Sequence, residues 1–463
     1  MQFYKTALVL GLASSGEAAA RLLLAEGAQV VVMDRGDSEI LCRRAAALQA
    51  LGAEVRLGVT SPPQGNFEIA IVSPGIPAAS DTVKSVMTRG IPVVSELELG
   101  WSRSACRVLA ISGSNGKSTL VKLCAEALAQ AGCSAAIAGN YGPPISAVVS
   151  EAPRGKPLDW LVLEVSSFQL ETVQAFRPDV GVLLNVTPNH LDRHGDFQTY
   201  RQIKSRLFAR MTPVDTGVTD RNILPEIRTL AGSTNRWIAA GVHPAAGVDP
   251  TSGVHPAPEF FYQSGAIHNS LDRERIELRG TLFDNEIMGL TAAAAAAALS
   301  ACGVEGRCRR LGRCLAAAAR TFQPLPHRLQ DVGAVRGIRF VNDSKATNLA
   351  AMMAALTITR GPVRLIAGGL PKCESYGPAR ELLAEKVTTV YLIGQAAEAM
   401  ATAWRGTTPC VMGGTLEQAV AQAWREARPG DTILLSPACA SFGQFRSFEE
   451  RGERFINAIR ALS

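Results

Sequence analysis

Residues 112–119 read Ser-Gly-Ser-Asn-Gly-Lys-Ser-Thr, between an apolar run at 107–111 and a helical pattern that continues to Gln130. Small residues at Gly113, Ser114, Asn115 and Gly116 let successive backbone N–H groups wrap a polyphosphate. Lys117 then offsets charge on the β- and γ-phosphates, and Ser118 or Thr119 reaches a magnesium ion. Strand, glycine turn and helix form the context that gives such a loop its chemistry. The spacing Gly-x-x-Gly-Lys-Ser-Thr is shorter than the usual phosphate loop and points away from ordinary nucleotide kinases and GTPases.

Other chemistry-bearing residues also follow apolar runs. Glu164 ends the run at 160–163, where a carboxylate facing the loop would hold magnesium; a capping or surface role fits equally well. His190, in the polar stretch after the run at 179–185, reads as a ligand or base, or as a hydrogen-bonded structural histidine. Lys204 falls on a predicted helix, and from the residues alone it is a solvated surface lysine. Asn342 to Asn348, including Lys345, again join a strand to a helix and offer either anion recognition or a plain cap. Arg328 follows Pro326-His327 and could aim at phosphate or bridge domains. Cys439 reads as packing, because no partner base is evident.

The elements that must position these residues alternate between strand and helix. A strand at 6–12, a turn at Ser14-Ser15-Gly16, a helix to about 26 and a strand at 29–33 make the first unit, with a further strand at 69–72 ending in Ser73-Pro74-Gly75. A glycine turn of this kind exposes helix N-terminal amides to phosphate, although the second glycine of a dinucleotide fingerprint is missing. Strands are expected at 107–111, 160–165 and 179–185, then at 338–342, 363–367, 389–393 and 432–436, with helices from Ala346 and Phe448. Residues 212–280 are irregular and rich in Gly, Pro and Thr. The alanine-rich stretch 289–302 reads as a buried helix, too short for a bilayer.

With 463 residues, 47% of them hydrophobic and 19% charged, the chain is a multidomain globular protein, not a disordered one. A net charge of +6 is too small for a dedicated nucleic-acid binder. The basic run Arg307, Arg309, Arg310, Arg313 is read as a solvated helix end. Ten cysteines show no Cys-x-x-Cys pair and no zinc spacing, so most are expected to be buried thiols in a reducing cytosol. The apolar start at 6–13 is read as a strand rather than an export signal.

Taken together, these stretches resemble the Mur ligases, ATP-dependent amide-forming enzymes of peptidoglycan precursor synthesis, over essentially the whole chain. Residues 164–171 (Glu-Val-Ser-Ser-Phe-Gln-Leu-Glu), 342–348 and 434–452 look like the members that add D-glutamate to UDP-N-acetylmuramoyl-L-alanine. The resemblance implies an α/β protein of three domains: 1–98, Rossmann-like, for the UDP substrate; 99–324, P-loop ATPase-like; and 325–463, doubly wound and Rossmann-like, for the amino acid. It implies ATP and two magnesium ions, with Lys117 on the γ-phosphate, Ser118 or Thr119 and Glu164 on the first ion, and His190 on the second. Lys204 aligns with a lysine that the family carries as a carbamate. Ser14, Ser15, Ser73, Asn140 and Gln169 would face the UDP-sugar or its peptide stem. Lys345, Ser441 and Phe448 would hold D-glutamate, and Arg328 and Lys372 would lie near the nucleotide. A cytoplasmic monomer that neither binds nucleic acid nor inserts in a membrane is expected. Four departures stand out: Ser114 where the family usually has Thr; a single asparagine, Asn285, left of the His-Asn-x-x-Asn adenine motif; Leu370-Pro371 in place of an acid before Lys372; and Gly443 in place of an acid. The alternatives are a related ligase with another acceptor and a non-catalytic nucleotide-binding protein of the same fold.

Overall fold

The computed structural model describes residues 3–151, 158–243, 257–271, 273–303, 311–371 and 375–462. Its strands form three sheets with helices between them. The first sheet runs Glu54–Arg56, Gln29–Met33, Thr6–Leu10, Ile69–Val72, Val93–Ser95, all parallel. Its central strands Thr6–Leu10 and Ile69–Val72 are almost continuously buried, the pattern expected when helices cover both faces of a parallel sheet.

The second sheet has nine strands. Its parallel part places Val180–Leu183, Arg107–Ser112, Trp160–Glu164 and Ala135–Gly139 side by side. The irregular region resolves into Thr216–Asp220, Arg236–Val242, Phe260–Gln263, Ala266–Asn269 and Arg275–Glu277, the last two antiparallel. These strands are short and punctuated by turn residues, so no periodicity marks them. Helix Glu286–Ala301 buries its alanine run 292–298, as expected. Helix Lys117–Gln130 begins after Gly116, whose φ of 79° is the left-handed conformation that a glycine adopts without strain.

The third sheet runs Gln330–Val335, Ile338–Asn342, Thr432–Leu435, Val363–Gly368, Val387–Ile393, Cys410–Gly414, parallel after the first hairpin. Here the helix expected from Ala346 starts later, at Leu349–Ile358. Asn348 caps it by accepting from Ala351 N, and the preceding residues stay a loop in which Asn342 Oδ1 accepts from Ser344 N while the Asp343 carboxylate reaches out to Leu329 N. By compactness the chain divides into residues 1–186 with 193–321, which hold the first two sheets, and residues 187–192 with 322–463, which hold the third.

Among the described cysteines Cys124, Cys133, Cys302 and Cys439 are buried and Cys42 is exposed, so burial is less general than expected. Most of the basic run, Arg307, Arg309 and Arg310, lies outside the described residues, as does Lys372. No helix among the described residues is long and apolar enough to cross a membrane.

Candidate active site

The phosphate-loop residues leave the C-terminal end of strand Arg107–Ser112, in the middle of the parallel part of the second sheet, where ligands of such sheets gather. Asn185, two residues past strand Val180–Leu183, fixes the loop. Its Oδ1 accepts from Ser114 N (3.1 Å) and Asn115 N (2.9 Å), and its Nδ2 donates to Asn115 O (3.1 Å). Tyr200 OH lies 3.1 Å from Ser114 Oγ, so the serine at this position has a hydroxyl partner. Lys117 curls back over the turn and donates to Gly113 O (2.9 Å) and Ser114 O (3.2 Å).

Glu164 is the last residue of strand Trp160–Glu164 and is buried. Its Oε2 accepts from Ser118 Oγ (2.5 Å), and its Oε1 accepts from Asn140 Nδ2 (2.6 Å). Strand Ala135–Gly139 ends beside it, and Gly139, at φ 100°, has no room for a side chain: a Cβ would sit 2.4 Å from Glu164 O. The surface reading of Glu164 is therefore excluded. One hydroxyl and one carboxylate, both hard oxygen donors, suit magnesium, which takes few protein ligands and fills its remaining positions with phosphate and water. Asn140 supports the carboxylate.

Lys204 overturns the surface reading made from sequence. It is 1% exposed, on helix Phe197–Ser205, and its Nζ donates to Gly113 O (3.0 Å) and lies 3.4 Å from Ser112 Oγ. Burial pushes its ammonium well below the ordinary lysine range, the charge of Lys117 adds to this, and Glu164 partly opposes it. Two lysine side chains thus converge on one carbonyl.

In the first sheet, Ser14 and Ser15 open helix Ser14–Ala25, with Ser14 exposed at a helix N-terminus that can receive phosphate. Ser73 is buried instead, and its Oγ donates to Gly11 O (2.9 Å), so the hydroxyl shapes the turn. Gln169 is also buried, and its Oε1 accepts from Ser166 N in a capping box. Asp34, after the second strand, accepts from Leu12 N and Gly36 N.

His190 takes a φ of 56°, an uncommon conformation for a non-glycine residue that often accompanies function. It belongs to the compact unit of the third sheet. There, Lys345 Nζ lies 3.5 Å from the centre of the Phe448 ring, which brings two predicted residues together. Ser441 is buried on the segment after Thr432–Leu435, and Arg328 follows the left-handed His327. Asp343 and Arg451, which sequence reasoning missed, organise this end. Asp343 accepts from Leu329 N and Ser436 Oγ, and burial lifts its carboxyl to about 7. Arg451 is fully buried and donates to Ser344 Oγ, Ser344 O and Cys439 O; burial lowers it to about 10. Cys439 packs there, as read.

At the adenine-side departure, Asn285 caps helix Glu286–Ala301 by accepting from Met288 N, and its Nδ2 donates to Leu282 O; Asp284 accepts from Tyr262 OH. Both side chains support local structure.

Three family models match in chain order: the Mur ligase MurD-like N-terminal domain over residues 5–95, the Mur ligase middle domain over 111–244 and the Mur ligase glutamate ligase domain over 327–439. The chain belongs to the Mur ligase family. Within this family it is 37% identical to the UDP-N-acetylmuramoylalanine–D-glutamate ligase of Acidobacterium capsulatum, over 99% of this chain and 96% of that one. It is 36% identical to the protein of the same name from Pelotomaculum thermopropionicum, over 99% and 98%. Solved Mur ligases share its fold at low identity. The MurF ligase of Thermotoga maritima, in complex with ADP, gives a TM-score of 0.59 at 15% identity over 94% of this chain and 96% of that one. A pseudomurein peptide ligase type C from Methanothermus fervidus gives 0.59 at 16%, over 99% and 100%.

Proposed function

We infer that this Mur ligase joins D-glutamate to UDP-N-acetylmuramoyl-L-alanine at the expense of ATP, in peptidoglycan precursor synthesis. The observation that carries the reading is the convergence of Lys117, Ser118, Glu164 and the buried Lys204 at the phosphate loop, in a chain whose full-length relatives are named for this reaction.

A free carboxylate is a poor electrophile, so the substrate acid takes the γ-phosphoryl group while ADP leaves. The amine of D-glutamate then attacks the acyl carbon, and phosphate departs through a tetrahedral intermediate. Asn185 keeps the loop amides in register, and Lys117 balances the charge of the triphosphate. Ser118, with Thr119 beside it, and Glu164 would hold magnesium, which draws charge off phosphate oxygens when bound. A neutral amine is the form that adds carbon dioxide, so the depressed Lys204 supports a carbamate there, formed with loss of one proton. The same reading makes that carbamate an anionic oxygen ligand and gives His190 to a second ion.

The same reading gives Ser14, Ser15, Ser73, Asn140 and Gln169 to the UDP-linked substrate, and Lys345, Ser441 and Phe448 to D-glutamate. Arg328 and Lys372 fall to the nucleotide. It divides the chain at 1–98, 99–324 and 325–463, and the enzyme works as a cytoplasmic monomer. The test is phosphate release: it should require UDP-N-acetylmuramoyl-L-alanine, D-glutamate and magnesium together. Release with another amino acid but not with D-glutamate would reassign the acceptor.

A further inference from the structure

A buried ion pair ties the loop after strand Ile69–Val72 of the first sheet to helix Ser167–Leu170, next to the second sheet. Arg193 presents Nε to Glu171 Oε1 (2.7 Å) and Nη2 to Glu171 Oε2 (2.7 Å), a planar two-pronged contact. The same guanidinium donates Nη1 to Pro74 O (2.7 Å) and Nη2 to Ile76 O (3.2 Å), and Ala78 N donates to Glu171 Oε2 (3.1 Å). Both side chains are about nine-tenths buried, and the guanidinium stacks 3.9 Å from the centre of the Phe168 ring. Residues 74–78 contain two prolines, which lack an N–H, and Ile76 N donates to Ser73 O in the strand-end turn. Three further backbone groups of this loop are therefore held by Glu171 and Arg193.

The contacts continue toward the phosphate loop. His194 Nδ1 lies 3.4 Å from Glu171 Oε1, its Nε2 lies 3.1 Å from Ser167 Oγ, and its ring packs on Tyr200, whose hydroxyl meets Ser114. A buried pair of this kind contributes little stability over an apolar replacement; what it supplies is registry. Only arginine offers donors in the planar fork needed to serve a carboxylate and two carbonyls at once.

We propose that Glu171 and Arg193 are positioning residues of the ligase: they set the loop 74–78 against helix Ser167–Leu170 and thereby determine affinity for the UDP-linked substrate. This rests on the reading of the first sheet as the site of that substrate. Glu171→Gln weakens the two-pronged contact, and Arg193→Lys keeps the charge but loses the fork.

In both variants the KM for UDP-N-acetylmuramoyl-L-alanine should rise about tenfold or more, since small displacements of binding groups cost rate and affinity steeply, while the KM for ATP stays within about twofold. Amide hydrogen exchange at Ile76 and Ala78 should quicken about tenfold in the full-length protein. Arg103→Met breaks the comparably buried Arg103–Glu26 pair, which does not touch this loop, and should lower the melting temperature without splitting the two KM values. Variants of Glu171 and Arg193 that lose stability as Arg103→Met does, with unchanged KM, would reduce the pair to a structural one and overturn the proposal. Should the wild-type protein fail to use the UDP-linked substrate, the functional reading falls, but the exchange experiment still decides whether the pair holds the loop. Should Glu171→Gln not fold, Arg193→Lys carries both measurements.

Discussion

Asn185→Ala isolates the contribution of loop geometry from that of charge. The substitution removes three hydrogen bonds to the backbone of Ser114 and Asn115 and touches no ionised group. Ser114 N keeps its bond to Asn185 O (3.0 Å), so at about 0.5–1.5 kcal/mol net for each of the other two bonds the loop loses roughly 1–3 kcal/mol of restraint. Part of this appears as lower stability. The rest appears when the loop must be reordered around a triphosphate, and about 1.4 kcal/mol of it raises the KM for ATP tenfold. The assay is phosphate release against ATP concentration, with thermal melting of the same samples. Thr415→Ala is the control: it removes a side-chain cap from helix Leu416–Glu426, in the unit of the third sheet, at a cost of about 1 kcal/mol, and should leave the KM for ATP alone. If Asn185→Ala melts lower yet keeps the wild-type KM for ATP, the asparagine does not preorganise the loop and the reasoning fails.

Lys204→Ala should abolish turnover, with no recovery on adding bicarbonate; full activity would remove the carbamate. In buffer free of carbon dioxide, Lys204→Met should melt higher than the wild type near neutral pH. Burial depresses the folded-state lysine, so the wild type is penalised below the unfolded value of 10.5 and the advantage must shrink as pH rises toward it. Asp343 has the opposite sign: its folded value, about 7, lies above the unfolded 3.8, so stability is complete at low pH and is lost as pH rises through 7. Asp343→Asn should therefore raise the melting temperature at pH 8, with the gain fading toward pH 4; a pH-independent difference would contradict this. Arg451→Met leaves the buried carbonyls of Ser344 and Cys439 without their donor and should cost about 3 kcal/mol in denaturant unfolding.

The phosphate loop was legible because its chemistry is local: glycines, lysine and serine adjacent in the chain between a strand and a helix. The central strands were legible because buried parallel strands read as unbroken apolar runs. Lys204 was not, since its burial is decided by where its helix packs. The signal was nonetheless present: Tyr200, Lys204 and Phe208 recur every four residues, which places the lysine on the apolar face. Arg451, Phe455 and Ile459 repeat this pattern in helix Phe448–Arg460. Asn185 carried a weaker signal, a polar residue just beyond a buried strand. The Glu171–Arg193 fork and the Ser73 hydroxyl depend on partners far along the chain, which no local pattern reveals.

Because Glu164 is the last residue of a strand and its backbone abuts a side-chain-free neighbour, its place along the chain is inherited from the pairing of two strands rather than from the length of a loop. Such a placement insulates it from drift. A substitution at Asn285, whose side chain caps helix Glu286–Ala301, leaves that strand pairing untouched, so the two ends of the sheet can be altered one at a time.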